Sequence, residues 1–236
     1  MKKKNLSSVD IALVAARLGS KGIKRKNFIK FKKNYIVDNA VKIGISIKSI
    51  YKTILSSDSS DILHLTKNDE KVFKILRSKH ISRDITPMLP VMKDTIIKFE
   101  NFYNIKVKNL ILLDPTSIYR KKKNITDAIK IFNKKKPDLL ISVFPSHHDP
   151  YFSILERKGK YYSMCKSSNK IIGSRQKSKP VYNISTVVWI YSRKSIMTEK
   201  KRIPKKTLIF QLTEDESLEL NTIDDINKVK KFIKYG

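Results

Sequence analysis

"VDIALVAARLGSKGIKRKN", residues 9–27, changes character halfway. Val9 to Ala16 is apolar at nearly every position and only eight residues long. That pattern predicts a strand buried on both faces, as in a parallel sheet with helices on each side. From Arg17 to Asn27 the chain carries two glycines among five cations. In open α/β sheets, ligands bind beyond the carboxyl ends of the strands, where this loop leaves. Gly19 and Gly22 let the backbone turn and bring N–H groups to an anion. Arg17, Lys21 and Lys26 add charge, Ser20 adds a hydroxyl, and Asn27 can donate and accept at once, which suits a base edge or a ribose. This is the composition of a triphosphate cradle. It has neither the G-x-x-x-x-G-K-[ST] nor the G-x-G-x-x-G spacing. A merely solvated basic turn is the plain alternative.

Beyond this stretch, apolar runs alternate with helical patterns. Strands are expected at Lys52 to Ser56, Leu110 to Leu113 and Leu139 to Val143. Helices are expected at Tyr35 to Ser49, Pro90 to Tyr103 and Asn124 to Asn133, the last with Asn124 as a side-chain cap. Ser59 to Arg77 carries helical spacing. The rhythm argues for a mostly parallel, twisted sheet covered on both faces. After Pro145 it breaks. Residues 147–182 read as an inserted antiparallel arm. Strands follow at Val187 to Tyr191 and Thr207 to Leu212, then a helix at Ile223 to Lys234 that Thr222 and Asp225 frame as a capping box.

The 236 residues fit one α/β domain, and a 40% hydrophobic fraction supports a sizeable core. The formal charge is +30. It reads either as a footprint for nucleic acid or an anionic membrane, or as lysine-rich compositional drift. Basic runs are scattered, and nine of 51 basic residues are arginine, the side chain suited to bidentate readout. Drift is the expectation, with no nucleic-acid partner. The start, with Lys2 to Lys4 before Ile11 to Ala16, imitates a signal peptide, but the apolar run is short and Asp10 precedes it. No stretch approaches the roughly 20 apolar residues of a membrane span. The lone Cys165 excludes an intrachain disulfide and fits a reducing cytoplasm; a buried or interfacial thiol is expected. His147 and His148 are adjacent and make no zinc pattern. Trp189 reads as core.

The string "ARLGSKGIKRKN", residues 16–27, resembles the N-terminal signature of the CMP-sialic acid synthetase family, the acylneuraminate cytidylyltransferases, roughly A-R-x-G-S-K-G-x-x-x-K-N. Further segments are similar in order: "ILSSDSSDI" (Ile54 to Ile62), Arg83, "LLDPTSIYR" (Leu112 to Arg120), "SVFPSHHDPYF" (Ser142 to Phe152), "SRQKSKPVYN" (Ser174 to Asn183) and "LELNTIDDI" (Leu218 to Ile226). The resemblance implies a three-layer, Rossmann-like nucleotidyltransferase fold with a dimerisation arm at residues 147–182, in a cytoplasmic homodimer. It implies transfer of CMP from CTP to the anomeric hydroxyl of a nonulosonic acid of sialic, legionaminic or pseudaminic type, with Mg²⁺ assisting. Arg17, Ser20, Lys21 and Lys26 would clamp phosphates, with Arg17, Lys21 and Lys26 catalytic. Asn27 and Arg83 would hold the nucleoside end. Arg175, Gln176 and Tyr182 are the candidates for the sugar acid, an arginine being the natural fork for its carboxylate.

The chain departs from the family at its ending, where aspartates are replaced by Glu219 and Asn221. Asn221 keeps a carbonyl oxygen but loses a charge. Asp114 stands before Pro115 where many members have glutamine, and the metal is expected on Asp114, Glu219 and Asn221. Asp114 as a turn cap, and Asp224 and Asp225 as helix N-terminal charges, are the alternatives. At the level of function, the alternatives are a catalytically weakened paralogue, a 3-deoxy-octulosonate enzyme, or a nucleic-acid-binding protein reusing the fold.

Overall fold

A computed structural model describes residues 8–19, 22–82, 86–166 and 179–227. Its elements in chain order are β1 (Val9–Ala16), β2 (Lys30–Phe31), β3 (Asn34–Tyr35), α1 (Ile36–Ile45), β4 (Ile50–Ser57), α2 (Ser60–His64), β5 (Val72–Leu76), α3 (Met88–Tyr103), β6 (Val107–Leu112), α4 (Lys122–Lys135), β7 (Leu139–Pro145), β8 (Leu155–Lys158), β9 (Tyr161–Met164), β10 (Tyr182–Ser192), α5 (Arg193–Thr198) and β11 (Thr207–Gln211). Seven strands form one sheet in the order β11-β7-β10-β6-β1-β4-β5. All pairings are parallel except those of β10, which runs antiparallel to both β6 and β7.

β1 sits inside this sheet, so both its faces are covered. Ala12, Val14 and Ala16 point into the core that contains Val37, Ala40 and Val41 of α1 and Ile125, Ala128, Ile129 and Phe132 of α4. Ile11 and Leu13 point the other way, onto Met92, Ile96 and Phe99 of α3 and Ile196 of α5. The period-2 alternation of a strand thus divides one apolar run between two layers. Carboxyl ends of β1, β4, β5 and β6 emerge at one rim, and the loops there build the site.

Two expectations fail. Ser59 to Arg77 is not one helix. α2 stops at His64, Asp69 caps a turn through Lys71 N–H to Oδ1 at 2.7 Å, and "VFKIL" pairs in parallel with β4 as an edge strand. Tertiary pairing overrides local spacing. Asn124 is not a cap. α4 begins at Lys122, and Asn124 is buried within its first turn. The capping box expected at the last helix forms: Asp225 Oδ2 accepts from Thr222 N–H at 2.7 Å, and Asp225 N–H donates to Thr222 Oγ1 at 3.3 Å; the expected helix runs on to Lys234, and residues 228–234 lie outside the described residues. The arm contains the hairpin β8–β9, a separate two-stranded sheet turning at Gly159 with φ +66°. Cys165, just past β9, is exposed, not buried, and the residues of this hairpin are exposed or half-buried. Trp189 is core at 3% exposure.

At the opposite end of the sheet, Glu100 accepts from Arg193 Nε at 2.7 Å, Arg193 Nη2 at 2.9 Å and Val107 N–H at 2.8 Å. Burial pushes its pKa up, but these donors outweigh it and leave the carboxyl below 4.5. E100Q is expected to cost roughly 1.5–3 kcal/mol at pH 7. A group held below its unfolded pKa stabilises fully above that value and loses the contribution as pH falls through the folded one. The stability gap between wild type and E100Q, measured by urea denaturation, is therefore expected to narrow as pH drops below 4.5.

Candidate active site

Arg17 leaves β1 at the carboxyl rim. Leu18 N–H donates to Asp58 Oδ1 at 2.8 Å, tying the loop to the end of β4. The buried Asn27 donates from Nδ2 to the Arg17 carbonyl at 2.8 Å. One of its donors is therefore spent on closing the loop and is not offered to a base. Arg25 takes a left-handed φ of 55° to begin a short 3-10 turn over Lys26–Phe28, and its guanidinium stacks on Phe28. A Cβ on Gly22 would lie 2.5 Å from the carbonyl oxygen of Asn221, so only glycine permits this approach. Lys26 Nζ donates to Asn221 Oδ1 at 3.3 Å. The cationic loop is thus closed against a segment nearly 200 residues away.

Asp114 follows β6 at the same rim. Its Oδ1 accepts from Thr116 N–H at 2.9 Å and Thr116 Oγ1 at 2.8 Å, the turn-capping role. Glu219 Oε1 accepts from Thr186 N–H at 2.7 Å, and Oε2 accepts from Asn221 Nδ2 at 3.0 Å. Arg120 lies between. Its Nε donates to the Val187 carbonyl at 2.6 Å, and its Nη2 to the carbonyls of Asp114 at 2.6 Å and Thr186 at 3.3 Å. Enclosure of the guanidinium lowers its pKa to about 10, with Asp114 and Glu219 acting in the opposite sense. It stays charged at neutral pH and is a common counter-charge for both carboxylates.

Among the described residues no three of His, Cys, Asp and Glu converge as a metal-binding group. Mg²⁺ asks for less: one or two carboxylates with phosphate oxygens completing the shell. Asp114 fits, because a second carboxylate oxygen lies outside the turn it caps. Glu219 retains further lone pairs on oxygens already bonded once. Asn221 fits least, since its carbonyl oxygen already takes the Lys26 ammonium.

The profile of the cytidylyltransferase family matches residues 11–226, which span the glycine loop, Asp114 and the Glu219 segment together. The chain belongs to the cytidylyltransferase family. It is 26% identical over 226 residues to post-translational flagellin modification protein B of Campylobacter coli, covering 95% of this chain and 94% of that one. It is 25% identical over 223 residues to CMP-N,N'-diacetyllegionaminic acid synthase of Campylobacter jejuni, covering 94% of each. In structure it resembles a CMP:2-keto-3-deoxy-manno-octonic acid synthetase complexed with CTP. There the TM-score is 0.69 at 9% identity, with 97% of this chain and 99% of the other covered.

In this cytidylyltransferase the structure brings together Arg17, Lys26, Asn27, Asp114, Glu219 and Asn221 at one rim. Tyr182 opens β10 and lines a separate cavity with Pro145, Asp149 and Gln211, at the base of the arm. Ser20, Lys21, Arg83, Arg175 and Gln176 lie outside the described residues. Arg77 is a residue the sequence reading missed. It directly follows β5, its N–H donates to the Ser57 carbonyl at 2.7 Å, and its Nη2 to the Ala16 carbonyl at 3.3 Å. It is 7% exposed, and its Nε has no hydrogen-bond partner among the described residues. Burial lowers its pKa, Asp58 raises it and the nearby Arg17 lowers it further. The available signal was an arginine directly after "VFKIL", four apolar residues in five, in a lysine-dominated chain.

Proposed function

We propose that this cytidylyltransferase transfers CMP from CTP to the anomeric hydroxyl of a nonulosonic acid and releases pyrophosphate. The observation that carries the reading is the closure of the glycine loop on the Glu219 segment, through Gly22 against Asn221 and Lys26 to its side chain. It sets cations beside carboxylates at one rim. The sugar oxygen attacks the α-phosphorus, the bond from it to the bridging β-phosphate oxygen breaks with its electron pair leaving on pyrophosphate, and the hydroxyl proton passes to water. Arg17 and Lys26, with Ser20 and Lys21 of the same loop, hold the phosphates and stabilise charge gathering on pyrophosphate. Arg77 adds a buried cation beside Arg17, and Arg83 and Asn27 serve the nucleoside end. Arg175 and Gln176 serve the sugar acid, and Tyr182 contributes from the separate cavity at the base of the arm. Fixing hydroxyl and phosphate in line supplies the entropic part of the acceleration.

Asp114 and Glu219 would hold Mg²⁺, which when bound neutralises phosphate oxygens. A catalytically weakened enzyme is the second reading, and the Lys26–Asn221 contact favours it. N221D is expected to tighten divalent binding about tenfold, read by Mn²⁺ titration with electron paramagnetic resonance in the presence of CTP. Unchanged affinity would remove Asn221 from the metal site.

The arm suits a homodimer. Leu155, Tyr161 and Tyr162 on β8–β9 are exposed by 60%, 69% and 65%, and an isolated hairpin is marginal in water. Light scattering in solution is expected to give twice the 27.4 kDa chain mass. No helix among the described residues is long and apolar enough to cross a membrane, and the single cysteine suits the cytoplasm. The deciding assay is pyrophosphate release from CTP and Mg²⁺ with a panel of nonulosonic acids. Release that depends on both CTP and sugar is expected; none with any sugar, from a folded protein, rejects the active-enzyme reading.

A further inference from the structure

A hollow of about 370 Å³ lies between the β2–β3 hairpin, α1 and the loop that follows Asp114. That is within the ~300–1,000 Å³ of small-molecule sites. No described residue of the glycine loop lines it, so it is distinct from the proposed phosphate cradle. Its lining carries three cations, Lys32, Lys42 and Arg120, and neither an aspartate nor a glutamate among the described residues. In a lysine-rich chain two ammonium groups are expected by composition. The guanidinium, one of nine arginines, is not.

Arg120 spends Nε and Nη2 on the carbonyls of Val187, Asp114 and Thr186. Its Nη1 makes no hydrogen bond among the described residues. The carboxylates of Asp114 and Glu219 share its charge without taking a hydrogen bond from it. Asn34 is in the same condition. Its Oδ1 accepts from Lys42 Nζ at 2.8 Å, and its Nδ2 makes no hydrogen bond among the described residues. Lys42 is answered by Asp38 Oδ2 at 2.7 Å. Lys32 makes no ion pair among the described residues, and its Nζ lies 5.9 Å from the Phe31 ring centroid. Residues with unspent donors thus border one cavity whose lining supplies no acceptor charge. The matching occupant is a compact anion with several acceptor oxygens, because hydrogen bonds from charged donors are the strong ones.

We propose that this hollow is a second oxyanion site, which takes a phosphate-type dianion on Lys32, Asn34 and Arg120. Inorganic phosphate and the pyrophosphate released by the transfer proposed above present the same chemistry. The test begins with full-length protein saturated with CTP, without Mg²⁺ or sugar, so that the glycine loop is filled. Inorganic phosphate is then titrated calorimetrically at an ionic strength fixed with NaCl, which screens general attraction to a basic surface equally throughout. Saturable binding of one phosphate per chain is expected. Pyrophosphate is titrated in a second arm, and the tighter of the two names the source. No binding to the CTP-filled protein, or uptake that never saturates, overturns the proposal. If CTP itself fails to bind, the proposed function falls, while a saturable phosphate site that depends on Lys32 still stands.

Lys32 occupies the hairpin turn with φ 56°, a left-handed backbone that asparagine adopts more readily than lysine. K32N is therefore expected to melt no lower than wild type while binding phosphate at least about fivefold more weakly. K33N removes the same charge from the neighbouring turn position, which does not line the hollow, and is expected to bind within about twofold of wild type. Wild-type affinity in K32N, or equal losses in both variants, overturns the proposal.

Discussion

Gly22→Ala is expected to lower kcat/KM for CTP by about 10²-fold while moving the melting temperature by only a few degrees. The added Cβ meets the backbone oxygen of Asn221 at 2.5 Å, an impossible distance for carbon and oxygen. Backbone cannot rotate away as a side chain can, so the loop and the Glu219 segment must separate. Separation breaks the Lys26 to Asn221 bond and shifts the loop's cations, proposed to hold phosphate, relative to Asp114. A displacement of about 1 Å at reacting groups costs on the order of 10²-fold. The loop lies at the rim and carries little of the two apolar cores, so stability changes little. Calorimetry with steady-state pyrophosphate release checks both halves. Activity within twofold of wild type would show that the loop and the Glu219 segment need not touch during catalysis.

Arg120→Met is expected to destabilise the protein by about 3–5 kcal/mol, roughly 6–20 °C in melting temperature for a chain of this size. The methionine keeps the volume and removes the charge. The carbonyls of Asp114, Val187 and Thr186 then lose their donors, and Asp114 and Glu219 lose the cation they share. Unpaired carbonyls and two adjacent carboxylates both oppose folding in this geometry. Because the same guanidinium holds the Asp114 and Thr186 backbone beside both carboxylates, residual activity in folded protein is expected to need higher Mg²⁺. Urea denaturation and a Mg²⁺ titration of rate separate these effects. A loss under 1 kcal/mol would mean that water replaces the guanidinium.

Sequence alone determined the class of fold and the family. "VDIALVAA" states a two-sided strand by its apolarity, and the glycine loop carries the composition on which the proposed anion site rests, because both are local properties of consecutive residues. The helices α1, α3 and α4 were legible from their 3.6-residue spacing, with ends displaced by a few positions. Tertiary structure alone decided that "VFKIL" is a strand, since its partner is β4 and not its own neighbours. It also decided the use of Asn27 as a loop clasp, of Asp114 as a turn cap and of Asn221 as an acceptor for Lys26. Arg77 and Arg120 were invisible for the same reason. Each reaches a carbonyl more than 60 residues away, Ala16 for Arg77 and Val187 for Arg120, and nothing in a linear pattern says which carbonyl or carboxylate a buried arginine will face.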